Sequence, residues 1–297
     1  MTNTIGWELY RSFLAVLTEG SLSGAARALG LTQPTVGRHV SALETALNQV
    51  LFTRSQVGLL PTEAAESLRS YAEAMRSTAA ALERAAAAHG PGVSGTVRIS
   101  ASEVVGIEVL PPALARLRRE HPGLKLELVA TNRVQNLLQR EADIAVRMAL
   151  PKQEQLIARH VGNVVIGLYA RKDYLRQHGT PATPADLAGH TLIGFDEETP
   201  FLRTARKAFP AWTREALSLR ADSDLAQLAL IRAGAGIGFC QAALAARDKG
   251  LVRVLPESCA LLLETWVTMH EDLRHSPRCK AAFDALVQCL LAHTGQE

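Results

Sequence analysis

The sequence predicts an α/β protein with an all-α, winged-helix N-terminal domain, then a long coiled-coil linker helix and a two-lobed, doubly wound module. Three observations predict this architecture. Residues 20–44 have the pattern of two short helices joined by a tight turn, residues 65–86 repeat apolar side chains in heptads, and from Thr96 onward strands alternate with helices. The predicted domains are 1–61, 62–90 and 91–297.

The segment 20–44 carries the start and stop signals of two short helices. Ser23 stands where an N-cap would open the first helix, and Gly30 can take the left-handed conformation that ends it. Thr32 is placed to cap the second helix, and Pro34 suits its first turn, where a missing backbone N–H does no harm. The second helix repeats apolar residues at the 4,3,4 spacing of one buried face: Val36, Val40, Leu43 and Leu47.

The opposite face of the second helix carries short or fork-shaped side chains. These are Pro34, Thr35, Arg38, Ser41 and Ala42. Such a face can enter the major groove of double-stranded DNA, where Arg38 would reach a guanine edge or a phosphate. An ordinary helical hairpin with a solvated polar face has the same pattern, and the segment alone leaves that alternative open.

The segment 51–64, LFTRSQVGLLPTEA, has the apolar runs and central Gly58 of a two-stranded wing, with Arg54 at its base. The resemblance that these residues carry runs without gaps from Trp7 to Ala65 and rests on the order of GSLSGAARALGLTQPTV, ALE, LF.R and G…T.A. In this region the sequence resembles the winged helix-turn-helix of LysR-type transcriptional regulators. The resemblance implies the following DNA-binding residues: Ser23, Thr32, Gln33, Pro34, Thr35, Arg38, His39 and Arg54. Two departures are Gly37, where the family often has serine, and Gln56-Val57, where basic residues are frequent.

Bulk charge does not favour DNA binding by one copy of this domain. Residues 1–65 hold four arginines and four glutamates, so their net charge is zero. Few phosphate contacts give weak non-specific affinity, and we expect two or more copies to act on one duplex.

The Ala-rich segment after the wing supplies a means of pairing. Its small and apolar residues alternate at 3,4 spacing, as in a coiled-coil seam, although a helix packed on its own domain is the alternative. The residues expected to dimerise are Leu68, Ala72, Met75, Ala79 and Leu82. The resemblance implies a homodimer through this helix, assembly to a homotetramer, and contact with RNA polymerase as a possible further partner.

The region after the hinge 89–95 is predicted to form two α/β lobes. Strands at 97–101, 124–130 and 143–148 alternate with helices at 104–120 and 133–140, which describes a parallel βαβαβ unit. A second unit follows, with strands at 164–170, 216–221 and 237–240 and helices at 172–177, 201–208 and 224–233. A strand at 264–270 and a helix at 277–293 complete the chain. Lobe I is expected at about 92–163 and 268–297, and lobe II at about 164–267, an order similar to the periplasmic-binding-protein-like module of the LysR family.

Small polar residues follow several predicted strands, where ligands collect in doubly wound sheets. We expect them to face one cleft between the lobes and to bind a small, anionic effector. They are Ser100, Ser102, Thr131, Asn132, Phe201, Asp222 and Ser223. The same serines and threonines are also favoured as plain helix caps, so each has a purely structural alternative.

The whole chain suits a cytoplasmic regulator that needs no metal or other cofactor. It has 297 residues, 47% of them hydrophobic, and a formal charge of +3. From its first residues and its short apolar runs we expect neither export nor a membrane span. Its four cysteines form no CxxC pair, and no catalytic constellation is visible. The predicted function is sequence-specific regulation of transcription by a non-enzyme. A cysteine-based redox-sensing regulator and an enzyme with a DNA-tethering arm are the alternatives.

Overall fold

The computed structural model describes most of the chain, with the exception of short segments. The residues outside the description are 1–4, 56–57, 87–91, 134–136, 139–140, 152, 154, 199–201, 204–205, 207–211 and 296–297, together with the side chains of 84–86. The chain forms two compact units, the first comprising Met1–Ala86 with Gln139–Glu141 and the second the remaining residues. No helix among the described residues has both the length and the apolar character needed to cross a membrane.

The first unit is a helix-turn-helix followed by a hairpin and a long helix, which confirms the predicted winged helix. Its elements are α1 (Trp7–Glu19), α2 (Leu22–Leu29), α3 (Gln33–Leu47), β1 (Phe52–Ser55), β2 (Gly58–Pro61) and α4 (Glu63–Ala86). Val36, Val40 and Leu43 are buried beneath α3, as their spacing predicts, and they share a core with Phe13 of α1 and Leu51.

The caps of α2 and α3 follow the sequence with one correction. Thr32 caps α3 by accepting a hydrogen bond from the Thr35 N–H, and Gly30 ends α2 with φ +66°, both as predicted. Ser23 is not the cap of α2. The helix begins at Leu22, and its cap is Ser21, two residues before the predicted one. Ser21 has extended backbone angles, and its Oγ accepts the Gly24 N–H at 3.1 Å. Ser23 therefore lies inside the helix, with an exposed side chain.

The wing is an antiparallel hairpin whose register moves Arg54 away from its predicted place. Phe52 pairs with Pro61 at the base, and Ser55 pairs with Gly58 next to the turn. Arg54, opposite Leu59, is one pair from the turn, so the prediction that it stands at the base is wrong. The two-residue connection 56–57 sets this register. Glu44 fixes the base, since its Oε1 accepts the backbone N–H groups of Leu51 and Phe52 at 2.8 and 3.3 Å.

The first half of α4 packs inside its own unit. Ala65 and Ala72 are 0% and 2% exposed in the core shared with α1 and α3, and Leu68 packs against that core. Burial within its own unit makes Ala72 unavailable to a second copy, which corrects that prediction, whereas the half-buried Leu68 stays a predicted pairing residue. The helical period of 3.6 residues turns these small residues toward the winged helix, where a close approach of α4 needs them.

The exposed apolar stripe of α4 lies on another side of the helix. Its large members are Tyr71 (71% exposed), Met75 (39%) and Leu82 (72%), at spacings of four and seven. Ala79 is half-buried and lines a groove of about 430 Å³ between α1 and α4. Met75 and Leu82 are thus exposed, as pairing with a second copy requires, and Tyr71 is exposed on the same side of the helix.

The second unit alternates strands and helices, as predicted. Its elements, in order, are β3 (Gly95–Ala101), a π-helical turn (Val105–Val109), α5 (Pro111–Glu120), β4 (Leu124–Ala130), β5 (Ile144–Arg147), β6 (Leu156–Arg171), α6 (Lys172–His178), β7 (Leu192–Gly194), β8 (Leu219–Arg220), α7 (Asp224–Arg232), β9 (Ile237–Gln241), α8 (Ala242–Ala245), β10 (Leu251–Val254), β11 (Ala260–His270) and α9 (Pro277–Thr294). Short 3₁₀ turns span Pro184–Gly189, Arg214–Ala216 and Glu271–Leu273.

One mixed sheet runs through the whole second unit. Its strand order is β4-β3-β5-β11-β6-β9-β7-β8, with β10 paired to β6. At one end β4, β3 and β5 are parallel, and at the other β9, β7 and β8 are parallel, which confirms the doubly wound architecture. The long strands β6 and β11 run antiparallel between these two parts, with a bulge between Glu264 and Trp266.

Several predicted elements of this unit differ in the structure. The described residues of the predicted helix 133–140, namely Arg133, Leu137, Leu138, form bends and turns, and its remaining residues lie outside the description. Of the predicted helix 201–208, the described residues Leu202, Arg203 and Arg206 are helical, as predicted, and the others lie outside the description. The predicted strand 216–221 shortens to Leu219–Arg220, and β7 and β10 were not predicted, because short buried strands have no distinct period.

Replacing Ser21 by alanine should destabilise the first unit, because the Gly24 N–H loses its only side-chain acceptor at the start of α2. We expect a loss of about 1 kcal/mol in the free energy of unfolding, measured by chemical denaturation. Ser23→Ala is the matched control and should change it by less than about 0.5 kcal/mol. A larger loss of stability in Ser23→Ala than in Ser21→Ala would show that Ser23 is the cap after all.

Candidate functional site

The N-terminal half of α3 presents an exposed polar face. Thr32, Gln33, Pro34 and Arg38 are exposed, and Thr35 is half-buried. The Thr32 and Thr35 hydroxyls lie 2.8 Å apart in a hydrogen bond at the start of the helix. Within the described residues, the Arg38 guanidinium has neither an ion pair nor a hydrogen bond. The face therefore combines the exposed N-terminal turn of a helix with a cation that is unpaired within the described residues, two features that proteins use to contact DNA in the major groove.

His39 has a different environment from the rest of this face. It is half-buried, and its Nδ1 lies 2.8 Å from the Oγ of Ser12, a fully buried residue of α1. This bond ties α3 to α1, so His39 fixes the position of α3. The exposed Arg54 lies near the end of the wing, on a separate element from α3.

The second unit contains a cavity of about 650 Å³ between its two parts. Its walls include Ser102, Asn132 and Arg147 from the side of β3, β4 and β5, and Phe195, Asp224 and Phe239 from the other. The parallel register brings the carboxyl ends of β3, β4 and β5 to one edge, because Ala101 lies beside both Ala130 and Val146. This is the place where a doubly wound sheet binds ligands.

Arg147 is the charged centre of this wall. Its guanidinium donates to three neutral oxygens: Nη2 to Ser100 Oγ at 2.6 Å and to Arg133 O at 3.2 Å, and Nη1 to Val146 O at 2.8 Å. Its Nε is buried without a partner. Burial lowers the pKa of Arg147 to about 10, since no carboxylate of the described residues offsets the loss of hydration.

The predicted ligand residues divide into two groups. Ser102 and Asn132 line the cavity. Ser100, Thr131, Asp222 and Ser223 are not among its lining residues, and Phe201 lies outside the described part of the chain. The expectation that all of these side chains face the cleft is therefore corrected.

The four described residues that do not line the cavity make hydrogen bonds elsewhere in the protein. Ser100 is fully buried and holds Arg147, and Thr131 Oγ1 accepts the Arg133 N–H at 3.2 Å. Asp222 Oδ1 accepts the N–H groups of Asp196 and Glu197 at 2.9 and 2.8 Å. Ser223 caps α7 by accepting the Ala226 N–H. Hydroxyls and carboxylates after strands are thus used mainly by turns and caps.

Several hydrogen bonds connect the parts on either side of the cleft. Arg232 of α7 donates to both carboxylate oxygens of Glu108 at 2.7 and 3.0 Å, and two further bonds involve residues at or next to the cavity lining. Asn132 Nδ2 donates to Asp224 Oδ2 at 2.6 Å, and Ser223 Oγ donates to Glu103 Oε2 at 3.2 Å. Burial raises the pKa of Asp224, and the nearby Glu103 carboxylate raises it further, against the lowering effect of Asn132. These polar contacts hold one relative arrangement of the two parts.

The sequence analysis missed Arg147, Asp224, Gln227 and Gln241 as lining residues. One signal was available for Arg147, because an arginine that ends the otherwise apolar strand DIAVR breaks the pattern of a buried strand. Asp224 and Gln227 lie on the first turn of α7, one helical turn apart, and only the fold brings that turn to the cleft.

Both parts of the chain match models of one protein family. Residues 7–66 match the bacterial regulatory helix-turn-helix protein of the lysR family, and residues 90–291 match the LysR substrate binding domain. The chain belongs to the LysR family of transcriptional regulators. The family consists of regulators and not of enzymes, in agreement with the sequence analysis.

Individual LysR regulators resemble this chain in sequence and structure. The HTH-type transcriptional regulator CrgA of Neisseria meningitidis is 32% identical over 186 residues, which span 62% of each chain. Its solved structure has a TM-score of 0.60 and 27% identity, covering 95% of this chain and 98% of CrgA. The probable regulator LtrA of Klebsiella pneumoniae is 27% identical over 94% of this chain and 93% of its own. CbnR bound to its target DNA shares the fold, with a TM-score of 0.64 at 20% identity, covering 96% and 99% of the two chains.

The four cysteines do not support the redox alternative. All are free thiols; Cys240, Cys259 and Cys279 are buried and Cys289 is half-buried. Burial raises the pKa of Cys240 to about 11 and also raises the pKa of Cys259 and Cys289. A raised pKa lowers the thiolate fraction on which oxidation depends. No group of three potential metal-binding side chains occurs among the described residues.

Arg38→Ala should weaken specific DNA binding by about 1–3 kcal/mol, because the recognition helix loses its unpaired guanidinium. Fluorescence anisotropy with a DNA site selected by the full chain measures this. Arg11→Ala, which removes an exposed arginine of α1, is the matched control and should leave the affinity within about 0.5 kcal/mol. Equal effects of the two variants would mean that this face of α3 does not enter the groove.

Proposed function

We propose that this protein is a sequence-specific DNA-binding regulator of transcription whose DNA affinity is set by a small, anionic effector in the cleft of the second unit. The single observation that carries the proposal is the combination, in one LysR-family chain, of an exposed polar face on α3 and a cleft in which Arg147 has no carboxylate partner among the described residues. The similarity to the transcriptional regulator CrgA and to the probable transcriptional regulator LtrA supports the regulatory part. The DNA complex of CbnR supports the DNA-binding part.

A ligand in the cleft would act on the contacts that join its two sides. The effector controls the protein only if it binds two arrangements of the unit with different affinities. Molecules that contact Asn132 or Asp224 compete with the bond between these side chains, whereas molecules that fit beside it strengthen the closed arrangement. Both effects shift the equilibrium between the two arrangements of the second unit. Whether DNA affinity then rises or falls depends on the ligand.

We also propose that α4 pairs with α4 of a second copy through the stripe Tyr71, Met75 and Leu82. These side chains are large, apolar and exposed at helical spacing, as in the seam of a two-helix coiled coil. A pair of recognition helices also compensates for the neutral net charge of residues 1–65. Assembly to a homotetramer, contact with RNA polymerase and a cytoplasmic location stay predictions.

Met75→Asp combined with Leu82→Asp should break this pairing, because each change places a charge in the seam opposite its own copy. Light scattering should then give half the parent mass or less, with an unchanged melting temperature at low protein concentration. Arg76→Asp with Glu83→Lys, neighbours that line the groove between α1 and α4, is the control and should keep the parent mass. A double-aspartate variant of parent mass would refute pairing through this stripe.

The regulatory proposal is tested with the full chain and DNA. Selection from random duplexes should yield a site with two related halves, since two recognition helices read it. Addition of an organic acid that binds the cleft should change the affinity for that site by a factor of about five or more. The absence of any sequence preference would overturn the DNA-binding proposal. A preference that no cleft-binding acid alters would overturn effector control alone.

A further inference from the structure

We propose that the cleft selects an amphipathic monocarboxylate. Its carboxylate lies against Arg147, and its apolar body, of ring size or larger, lies among the apolar side chains opposite. The inference rests on the proposed function and deepens it, because it names the chemical class of the effector and the residue that anchors it.

The anchor follows from the charge balance around Arg147. A guanidinium has five N–H donors, and here three neutral oxygens accept from it. None of these acceptors carries a negative charge, so among the described residues a cation is held in a partly buried wall without a counter-ion. A buried charge of this kind is strongly destabilising unless it is paired. Ser100 and the backbone oxygens fix the guanidinium in place and thereby prepare it for an anion from the cleft.

The composition of the opposite wall indicates that the ligand carries a single negative charge. Asp224 lines the same cavity, and its pKa is raised by burial and by Glu103. A second anionic group that reached this wall would meet the Asp224 carboxylate in a desolvated site, with the charge of Glu103 close behind it. Arg147 is the one cationic side chain among the residues that line the cavity in the described structure. A monocarboxylate neutralises it, whereas a phosphate or a dicarboxylate leaves excess negative charge.

The apolar body follows from the remaining lining. Most of the wall is apolar and includes Phe195, Phe239, Leu228, Leu244 and Leu263. A volume of about 650 Å³ lies within the range of pockets that enclose drug-sized ligands.

Three polar side chains of the wall already have partners inside the protein. Gln227 Nε2 donates to Ala221 O at 2.7 Å, Thr268 Oγ1 donates to Ala145 O, and Gln241 Oε1 lies 3.0 Å from His293 Nε2. A sugar or another polyol would therefore find few unused partners for its hydroxyls, whereas burial of an apolar body needs none.

The test uses the full chain and defined probes. Isothermal calorimetry is run with benzoate, phenylacetate, 4-phenylbutyrate, 2-naphthoate and octanoate. The comparison set holds the matching primary amides, terephthalate, adipate and inorganic phosphate. We expect at least one monocarboxylate to bind, and its amide, the dicarboxylates and phosphate to bind at least about tenfold more weakly, as loss of a charged hydrogen bond implies.

Three variants assign the parts of the ligand to residues. Arg147→Met should weaken the bound monocarboxylate by about tenfold or more and remove the preference over its amide, and Arg147→Lys should retain part of that preference. Asp224→Asn should strengthen terephthalate or adipate relative to the monocarboxylate. Arg253→Met, which replaces a half-buried arginine that does not line the cavity, is the control and should bind as the parent does. Circular dichroism checks that each variant is folded.

The outcomes separate this inference from the proposed function. Failure of every monocarboxylate to bind, equal binding of acid and amide, or parent-like binding by folded Arg147→Met would each overturn the inference. A different class of molecule that acts through the cleft on DNA affinity would overturn it and leave the regulatory proposal standing. Arg147-dependent binding of a monocarboxylate without any change in DNA affinity would support the ligand class and overturn effector control.

Discussion

The antiparallel pairing of β6 with β11 is the constraint on which the effector cleft depends. It runs from Ala260 opposite Gly167 to His270 opposite Leu156, and through it both parallel parts of the sheet belong to one hydrogen-bonded structure. The bulge between Glu264 and Trp266 lies in the middle of this ribbon. Bulges bend strands and increase their local twist. Movement of the two parts about the cleft must therefore pass through these two strands, while each part keeps its own parallel pairing.

The same topology explains why the cleft combines a charge with an apolar wall. At the carboxyl end of β5, Arg147 leaves the buried strand and turns back onto Ser100, so its charge stays within the protein and reaches the cavity edge. Strand β9 and helix α7 supply the opposite wall, with apolar side chains that continue the core of the unit. The contact between Asn132 and Asp224 then crosses the gap. Charge, apolar surface and a breakable interlobe contact thus meet in one cavity.

In the first unit, one helix serves two purposes. The small residues Ala65 and Ala72 allow α4 to approach the winged helix closely, and this packing keeps α4 in a defined place beside α1. Tyr71, Met75 and Leu82 point elsewhere and stay exposed. The Ala-rich segment, which suggests one continuous coiled-coil seam, therefore has two different faces, one packed inside the first unit and one exposed. The heptad pattern could not distinguish them, because positions three and four residues apart recur on both faces of a long helix.

The sequence by itself determined most of the helices and longer strands, and the family. Local signals, such as the caps at Thr32 and Gly30 and the apolar stripe of α3, depend on neighbouring residues alone, and the structure confirms them. It also determined that β3 and β4 end at one edge, since parallel strands with crossovers leave no other choice. Only the tertiary structure decided which polar residues reach the cleft. Ser102 lines it and Thr131 does not, although both follow a strand, because hydrogen bonds to nearby backbone compete for each hydroxyl. Arg147 and Asp224 face each other across the cavity through contacts between distant segments, and no local pattern carries that information.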